Sequence, residues 1–514
     1  MILLVGFVKL PGAAPHVIYN TTPESLGAVM GKLSSYFGVA GAFLATIGAL
    51  VLLWYAGSIS IYIRIVLAFA ALIISGLAIQ RILKLEGYGG LYMIGSRKGL
   101  KTIDAVSKKH RKFWDAMAMW GLTLGFGLMA YPLMKGKIDK RVFVFGIISI
   151  AFMAIFIQPY LSVAFQFINM PRLQSAVSSQ ASSLQQEASL LSYAVLAVTV
   201  VFGFSGYIFA SILANAASIL IGIAQFLISY SSGVTNVSTL TDQIPGIAPI
   251  IPGWNIPLIA GLASLAILLA VHEFSHGVLS RMAKVKLKSI GLLLFGIIPI
   301  GGYVEPDERM VKRLDNIKQT KIFSAGIAAN FIATIFFFAL LFLVLSYVVP
   351  HAYPYGVVVT GTVPGYPANG VLKSGMQILK WKGVAINNIS DLVSAGIQSK
   401  PNSTISVVTD SGAFMINTVP QTGNSSRGVI GVELGYEPII KTPYAKTVYF
   451  VYTLLALSML LNFLVAVVNL LPIPGFDGWR IYAANIKSRK FVLFLAALIV
   501  AGIAINALPW LFYI

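Results

Sequence analysis

Nine long apolar runs dominate the chain, at residues 38–56, 58–80, 113–134, 142–166, 189–230, 256–281, 322–349, 445–470 and 490–512. A helix needs about 20 apolar residues to cross a ~30 Å hydrocarbon layer. Within that layer each backbone amide must find its partner inside the protein, so runs of this length predict a bundle of membrane-spanning helices. The run at 189–230 suits one span plus a surface helix, or two tight spans, with Gly203, Gly206 and Gly222 as candidate breaks. With 57% hydrophobic and 11% charged residues among 514, the composition excludes an ordinary soluble globular protein. The expectation is an integral protein of the cell membrane, with the lipid bilayer as its surroundings.

Charge then orients the spans. Lys and Arg number 37 against 17 Asp and Glu, a net charge of +20. These cations sit in short loops between apolar runs and not on one soluble face, so nucleic acid is not an expected partner. The basic loops 81–112 and 281–321 should face the cytoplasm, which leaves 231–255 and 351–444 outside. Asn-X-Ser/Thr sequons at Asn236, Asn388, Asn402 and Asn424 fall in those two outer segments, with one more at Asn20. The cluster Lys135, Lys137, Lys140 and Arg141 fits less easily, since a single run separates it from the first basic loop. Either it departs from the bias or 113–134 does not fully cross. The opening "MILLVGFVKLPGAAP" is a short apolar run without a basic leader, and is not expected to be a cleaved signal peptide. Cysteine is absent, so any metal must be held by His, Asp or Glu.

Residues 353 to about 440 break the membrane pattern. Short β-branched runs ("YGVVVTGTV", "STISVVTD", "GVIGVEL") alternate with Gly, Pro, Asn and Ser, the pattern of a small strand-rich soluble domain with a short helix at 390–397. Its "VPGYPANGVLKSGM" resembles a PDZ domain, keeping Gly375 but lacking the Asp that usually follows. The expected organisation is a membrane domain of unknown role at 1–230, a membrane core in two parts at 231–350 and 445–514, and the PDZ-like domain at 351–444 between them. The fold class is thus a polytopic α-helical membrane protein with an inserted, small, β-rich PDZ-like extracytoplasmic domain.

The stretch "VHEFSH" sets two histidines and a glutamate inside an apolar run. On a helix, positions i and i+4 share a face, so His272 and His276 can point at one ion while Glu273 reaches a water beside it. With 5 His and 17 carboxylates, chance placement yields about 0.002 such patterns. Hydrogen-bonded interfacial histidines are the bland alternative. A charged group at mid-bilayer costs roughly 2.5 kcal/mol or more, however, and such groups usually mark a functional cavity. A catalytic zinc takes three protein ligands, so a third is needed. Asp477, in "NLLPIPGFDGW", is the one downstream carboxylate flanked by long apolar runs. Pro472 and Pro474 stop the helix there, and Gly475 and Gly478 permit a turn that aims the side chain inward.

In order and approximate spacing, "HEFSH", "GLLLFGIIPIGGYVEPDE", "SAGIAANF", the PDZ-like insert and "NLLPIPGFDG" resemble the site-2 protease family of intramembrane zinc metalloproteases over roughly residues 256–480. The resemblance implies one zinc ion per chain on His272, His276 and Asp477, with Glu273 as general base. It also implies Asn469 as a holder of substrate backbone, and Gly326 and Asn330 as a small-xxx-polar motif beside the substrate. The segment "IGLLLFGIIPIGGYV" reads as a hairpin dipping into the membrane, whose edge could accept a substrate strand. The implied activity is hydrolysis of peptide bonds in transmembrane segments of other membrane proteins. A metal-bearing transporter, or a catalytically silent scaffold that binds through the PDZ-like domain, would keep the same fold. Glu273 discriminates, because transport needs no base there and a silent relative would commonly have lost it.

Overall fold

The structure is a computed structural model that describes residues 26–85, 87–97, 99–168, 190–232, 245–352, 355–397, 399–421, 424–438 and 444–513. The opening segment with Asn20, and the sequon at Asn236, lie outside the described residues.

The chain forms helices α1 (Leu26–Tyr55) and α2 (Ile61–Leu83), strands β1 (Gly87–Tyr88) and β2 (Leu91–Ser96), and helices α3 (Leu100–Lys108), α4 (Arg111–Phe126), α5 (Lys140–Phe152), α6 (Gln158–Phe165), α7 (Leu190–Ser231) and α8 (Leu258–Met282). Strands β3 (Leu287–Phe295) and β4 (Ile298–Pro306) follow, then helix α9 (Asn316–Leu343). After a strand-rich insert come α10 (Ala445–Val468), α11 (Asp477–Asn485) and α12 (Arg489–Ala507). Among the described residues nine helical stretches are long and apolar enough to cross a membrane, as an integral membrane protein requires. Leu52, Phe37, Leu44 and Ile259 are each about 70% exposed, which lipid tails tolerate and water does not.

The described residues divide into two compact units, one reaching Phe338 and resuming at Thr453, the other spanning Ala339–Tyr452. In the first, the N-terminal third of the chain is not a separate body. Strand β2 pairs antiparallel with β3 from Leu91↔Phe295 to Ser96↔Ile290, so the sheet order is β1-β2-β3-β4. The Lys321 ammonium on α9 holds the Asp115 carboxylate on α4 at 2.6 Å, and Arg281 on α8 holds Asp104 on α3 at 2.6 Å. The helices α7 and α12 meet through Asn215 Nδ2, which donates to Asn506 Oδ1 at 2.7 Å. The long run around 190–231 breaks at Gly203, whose φ of 68° is open to glycine and whose missing Cβ lets it lie on the Gly125 carbonyl.

The hairpin expected from "IGLLLFGIIPIGGYV" is present. Phe295 pairs with Ile298 across a two-residue loop that starts at Gly296, at φ 59°, the Gly-first loop whose twist suits a tight hairpin. Strand β4 is one of the two outer strands of this sheet. Asp315 caps α9 by accepting the Lys318 N–H at 2.9 Å, and the Lys318 ammonium draws its carboxyl below the usual carboxylate range.

Between its helical ends the second unit holds strands β5 (Tyr355–Thr362), β6 (Ile378–Trp381), β7 (Val384–Ala385), β8 (Thr404–Thr409), β9 (Gly412–Asn417), β10 (Val419–Gln421), β11 (Asn424–Val429) and β12 (Val432–Pro438), with a helix at Ile389–Ile397. β6 and β8 are central to a four-stranded antiparallel sheet in the order β7-β6-β8-β9, and β5 pairs with β12. Alternate residues Ile405 and Val407 point inward with Val357, Val359, Trp381 and Leu392 to form its core. The side chains of Asn388 and Asn402 are exposed.

Candidate metal centre

Helix α8 starts after Pro257 and ends at Ala283, where Lys284 at φ 63° lets Val285 N–H donate back to the Ser280 carbonyl at 2.9 Å. Its uninterrupted apolar sequence keeps His272 and His276 in helical register, so their rings share one face with centroids 4.7 Å apart.

Asp477 reaches the same point from the far end of the fold. Helix α10 ends before the two prolines, and Gly475 at φ 102° reverses the chain. Gly478 N–H donates to the Asn469 carbonyl at 2.6 Å, and Gly478 packs on the backbone of Leu470 and Leu471, where no side chain would fit. This turn delivers Asp477 as the first residue of α11, where the helix dipole favours a carboxylate.

The three ligand-type atoms converge. Asp477 Oδ2 lies 3.0 Å from His276 Nε2 and 3.2 Å from His272 Nε2, and the two nitrogens are 3.1 Å apart. Among the described residues this is the one group of three or more His, Asp or Glu side chains arranged to hold a metal ion. Donors at about 2.0–2.1 Å from a tetrahedral cation would be about 3.3 Å apart, so the observed separations fit a cation without repacking. The donor set also fits chemically, because two imidazole nitrogens facing one carboxylate need a proton or a cation between them.

Neighbouring groups fix the rings. His276 Nδ1 lies 2.8 Å from the Ile322 carbonyl, an acceptor that holds the ring proton there and leaves Nε2 as a lone pair. Asn330 Nδ2 lies 3.1 Å from His272 Nδ1. Gly326 allows α9 to come this close, since a Cβ there would fall 2.6 Å from His272 Nε2. The Glu273 carboxylate accepts the Val304 N–H of β4 at 2.7 Å.

A cavity of about 80 Å³ opens on the cluster, lined by His272, Glu273, His276 and Asp477 together with Tyr303 and Arg480. Its volume suits a few waters, each occupying about 30 Å³ in the liquid. Gly326, Asn330 and Asn469 do not line it. Asn330 and Asn469 are buried, the first behind His272 and the second under the turn that carries Asp477.

Several lining residues were not singled out from the sequence, Arg480, Tyr303 and Met93 among them. Arg480 stands three positions after Asp477 on α11, a spacing that puts both on one helix face, and its guanidinium lies over the Phe323 ring at 5.4 Å. Tyr303 belongs to the hairpin. Met93 comes from β2, and no local pattern links it to a site 180 residues downstream.

Residues 260–509 match the model of peptidase family M50. An uncharacterized protein of Methanocaldococcus jannaschii is 30% identical over 241 residues, covering 46% of this chain and 60% of its own. A protein of Vibrio cholerae named "Putative zinc metalloprotease" is 30% identical over 172 residues, covering 27% of this chain and 37% of its own. The matched regions thus span less than two thirds of either relative.

Proposed function

Because residues 260–509 belong to the site-2 protease family, peptidase family M50, we propose that the protein is an intramembrane zinc metalloendopeptidase that cleaves transmembrane segments of other membrane proteins. The observation that carries this reading is the convergence of His272, His276 and Asp477 on one point, with Glu273 on the wall of the same cavity.

His272, His276 and Asp477 would hold the zinc ion, one per chain. When bound, zinc supplies Lewis-acid polarisation of a carbonyl and makes water a nucleophile near neutral pH. Glu273 keeps one oxygen on Val304 N–H and offers the other to a proton of the attacking water, which it then delivers to the leaving amine. The tie to Val304 holds the carboxylate at the cavity while the proton moves. A substrate helix hides its amides in internal hydrogen bonds, so it must unwind before attack. The outer side of β4, where the Val304 N–H already meets Glu273, would offer such a segment an edge on which to lie extended.

Asn330 and Asn469 back this site, and Gly326 leaves room at the two histidine Nε2 atoms, where a side chain would intrude. The strand-rich segment at 351–444 is read as PDZ-like and extracytoplasmic, filtering substrates by size or by exposed ends, in a protein of the cell membrane. Glu273 favours the protease over a transporter or silent scaffold, since neither needs a carboxylate held at the water-sized cavity. Cleavage of a transmembrane test substrate by the purified chain, with Glu273→Gln beside it, tests the proposal. Equal cleavage by both proteins would refute it.

A further inference from the structure

Asn330 is fully buried, and while its Nδ2 faces His272 Nδ1, its Oδ1 is buried without a hydrogen-bond partner. A buried acceptor left unpaired costs about 1–3 kcal/mol. The two ends of an amide have nearly the same shape, so a half-turn exchanges them without repacking. The pair therefore has two arrangements. With Nδ2 toward the ring, the amide donates to Nδ1, the imidazole proton sits on Nε2, and Nε2–H points at Asp477 Oδ2, 3.2 Å away. With Oδ1 toward the ring, Nδ1–H donates to the amide oxygen and Nε2 turns a lone pair toward His276 and Asp477. Only the second arrangement leaves three donors that can accept one cation.

His276 has no such choice, because the Ile322 carbonyl behind it can only accept. We infer that Asn330 is a positioning residue for His272: its side-chain oxygen holds the ring proton at Nδ1 when a divalent cation enters the cluster, so that cation uptake and amide orientation are coupled. This rests on the metal-centre reading above. Asn330 acts through His272 and touches neither substrate nor cation.

The test is a zinc titration of the full-length protein in detergent against a chromophoric chelator, for wild type, Asn330→Leu, Asn330→Asp and His272→Ala. Asn330→Leu keeps the volume and removes the acceptor, and loss of a group that orients a ligand lowers affinity by about 10–100-fold. Asn330→Asp has only acceptor oxygens and should stay within about threefold of wild type. Zinc uptake by wild type with equal affinity in Asn330→Leu overturns the inference and leaves the metal centre standing. Equal losses in Asn330→Leu and Asn330→Asp overturn it too, since they indicate packing alone. If Asn330→Leu does not fold, a 10-fold loss in Asn330→Asp suffices against it. No zinc uptake by wild type removes both the metal centre and the inference.

Discussion

Glu273 Oε2 accepts the Val304 N–H at 2.7 Å, which ties the helix bearing the histidine pair to the outer strand of the hairpin. Cavity and strand edge are thereby one structure. A glutamine in this place can still accept from Val304 but cannot take a proton from water. Glu273→Gln is expected to lower cleavage by at least about 100-fold with zinc content, measured by elemental analysis, unchanged.

Asp477, the third ligand of the proposed metal centre, reaches the histidine pair from a turn 201 positions after His276. Asp477→Ala should lose both zinc and cleavage, whereas Glu273→Gln loses cleavage alone. Treating the wild type with a chelator should also stop cleavage, and returning zinc should restore it. Full activity after verified removal of the metal would contradict the assignment.

Gly326 has no room for a methyl group, because its Cβ would lie 2.6 Å from His272 Nε2. Gly326→Ala must push the imidazole from the cluster or move α9 away. Weaker zinc binding is expected, together with reduced cleavage, in a chain that still inserts and resists protease as wild type does.

Gly291 on β3 lies against the Ile94 carbonyl of β2, leaving no space for a side chain. Gly291→Val should prise the two strands apart and shift Met93 on the cavity wall. New protease sensitivity near residues 91–96, with reduced cleavage, is the expected result. Wild-type behaviour in both assays would mean that the N-terminal strands are dispensable for the site.

Trp381 is 6% exposed in the core of the strand-rich unit. Trp381→Ala should destabilise that unit by about 3–5 kcal/mol, read as faster proteolysis between residues 355 and 438. Zinc content should not change, because His272, His276 and Asp477, the proposed ligands, lie in the other unit.

Much of the site was legible before any fold was known. The i, i+4 histidines and the following glutamate are a local pattern on a helix whose register nothing interrupts. The Pro-x-Pro-Gly-x-Asp-Gly turn announces itself by residues that cannot continue a helix. The hairpin was legible for the same reason, since Gly296 and the β-branched run around it carry their own turn chemistry. The break of the long run at Gly203 was one of three glycine candidates, and only the contact with Gly125 selects it.

The amino-acid order by itself determined which segments are long and apolar enough to cross a membrane, which three side chains suit a metal and where the strand-rich insert lies, because hydropathy, helical period and turn chemistry act over a few neighbouring residues. Only the tertiary structure decided that β2 joins the hairpin, that Met93, Tyr303 and Arg480 share the cavity wall, and that the Asn330 amide lies against His272 Nδ1. Those pairings join positions tens to hundreds of residues apart, and they depend on how closely glycine-faced helices and strands approach, a distance no single segment encodes.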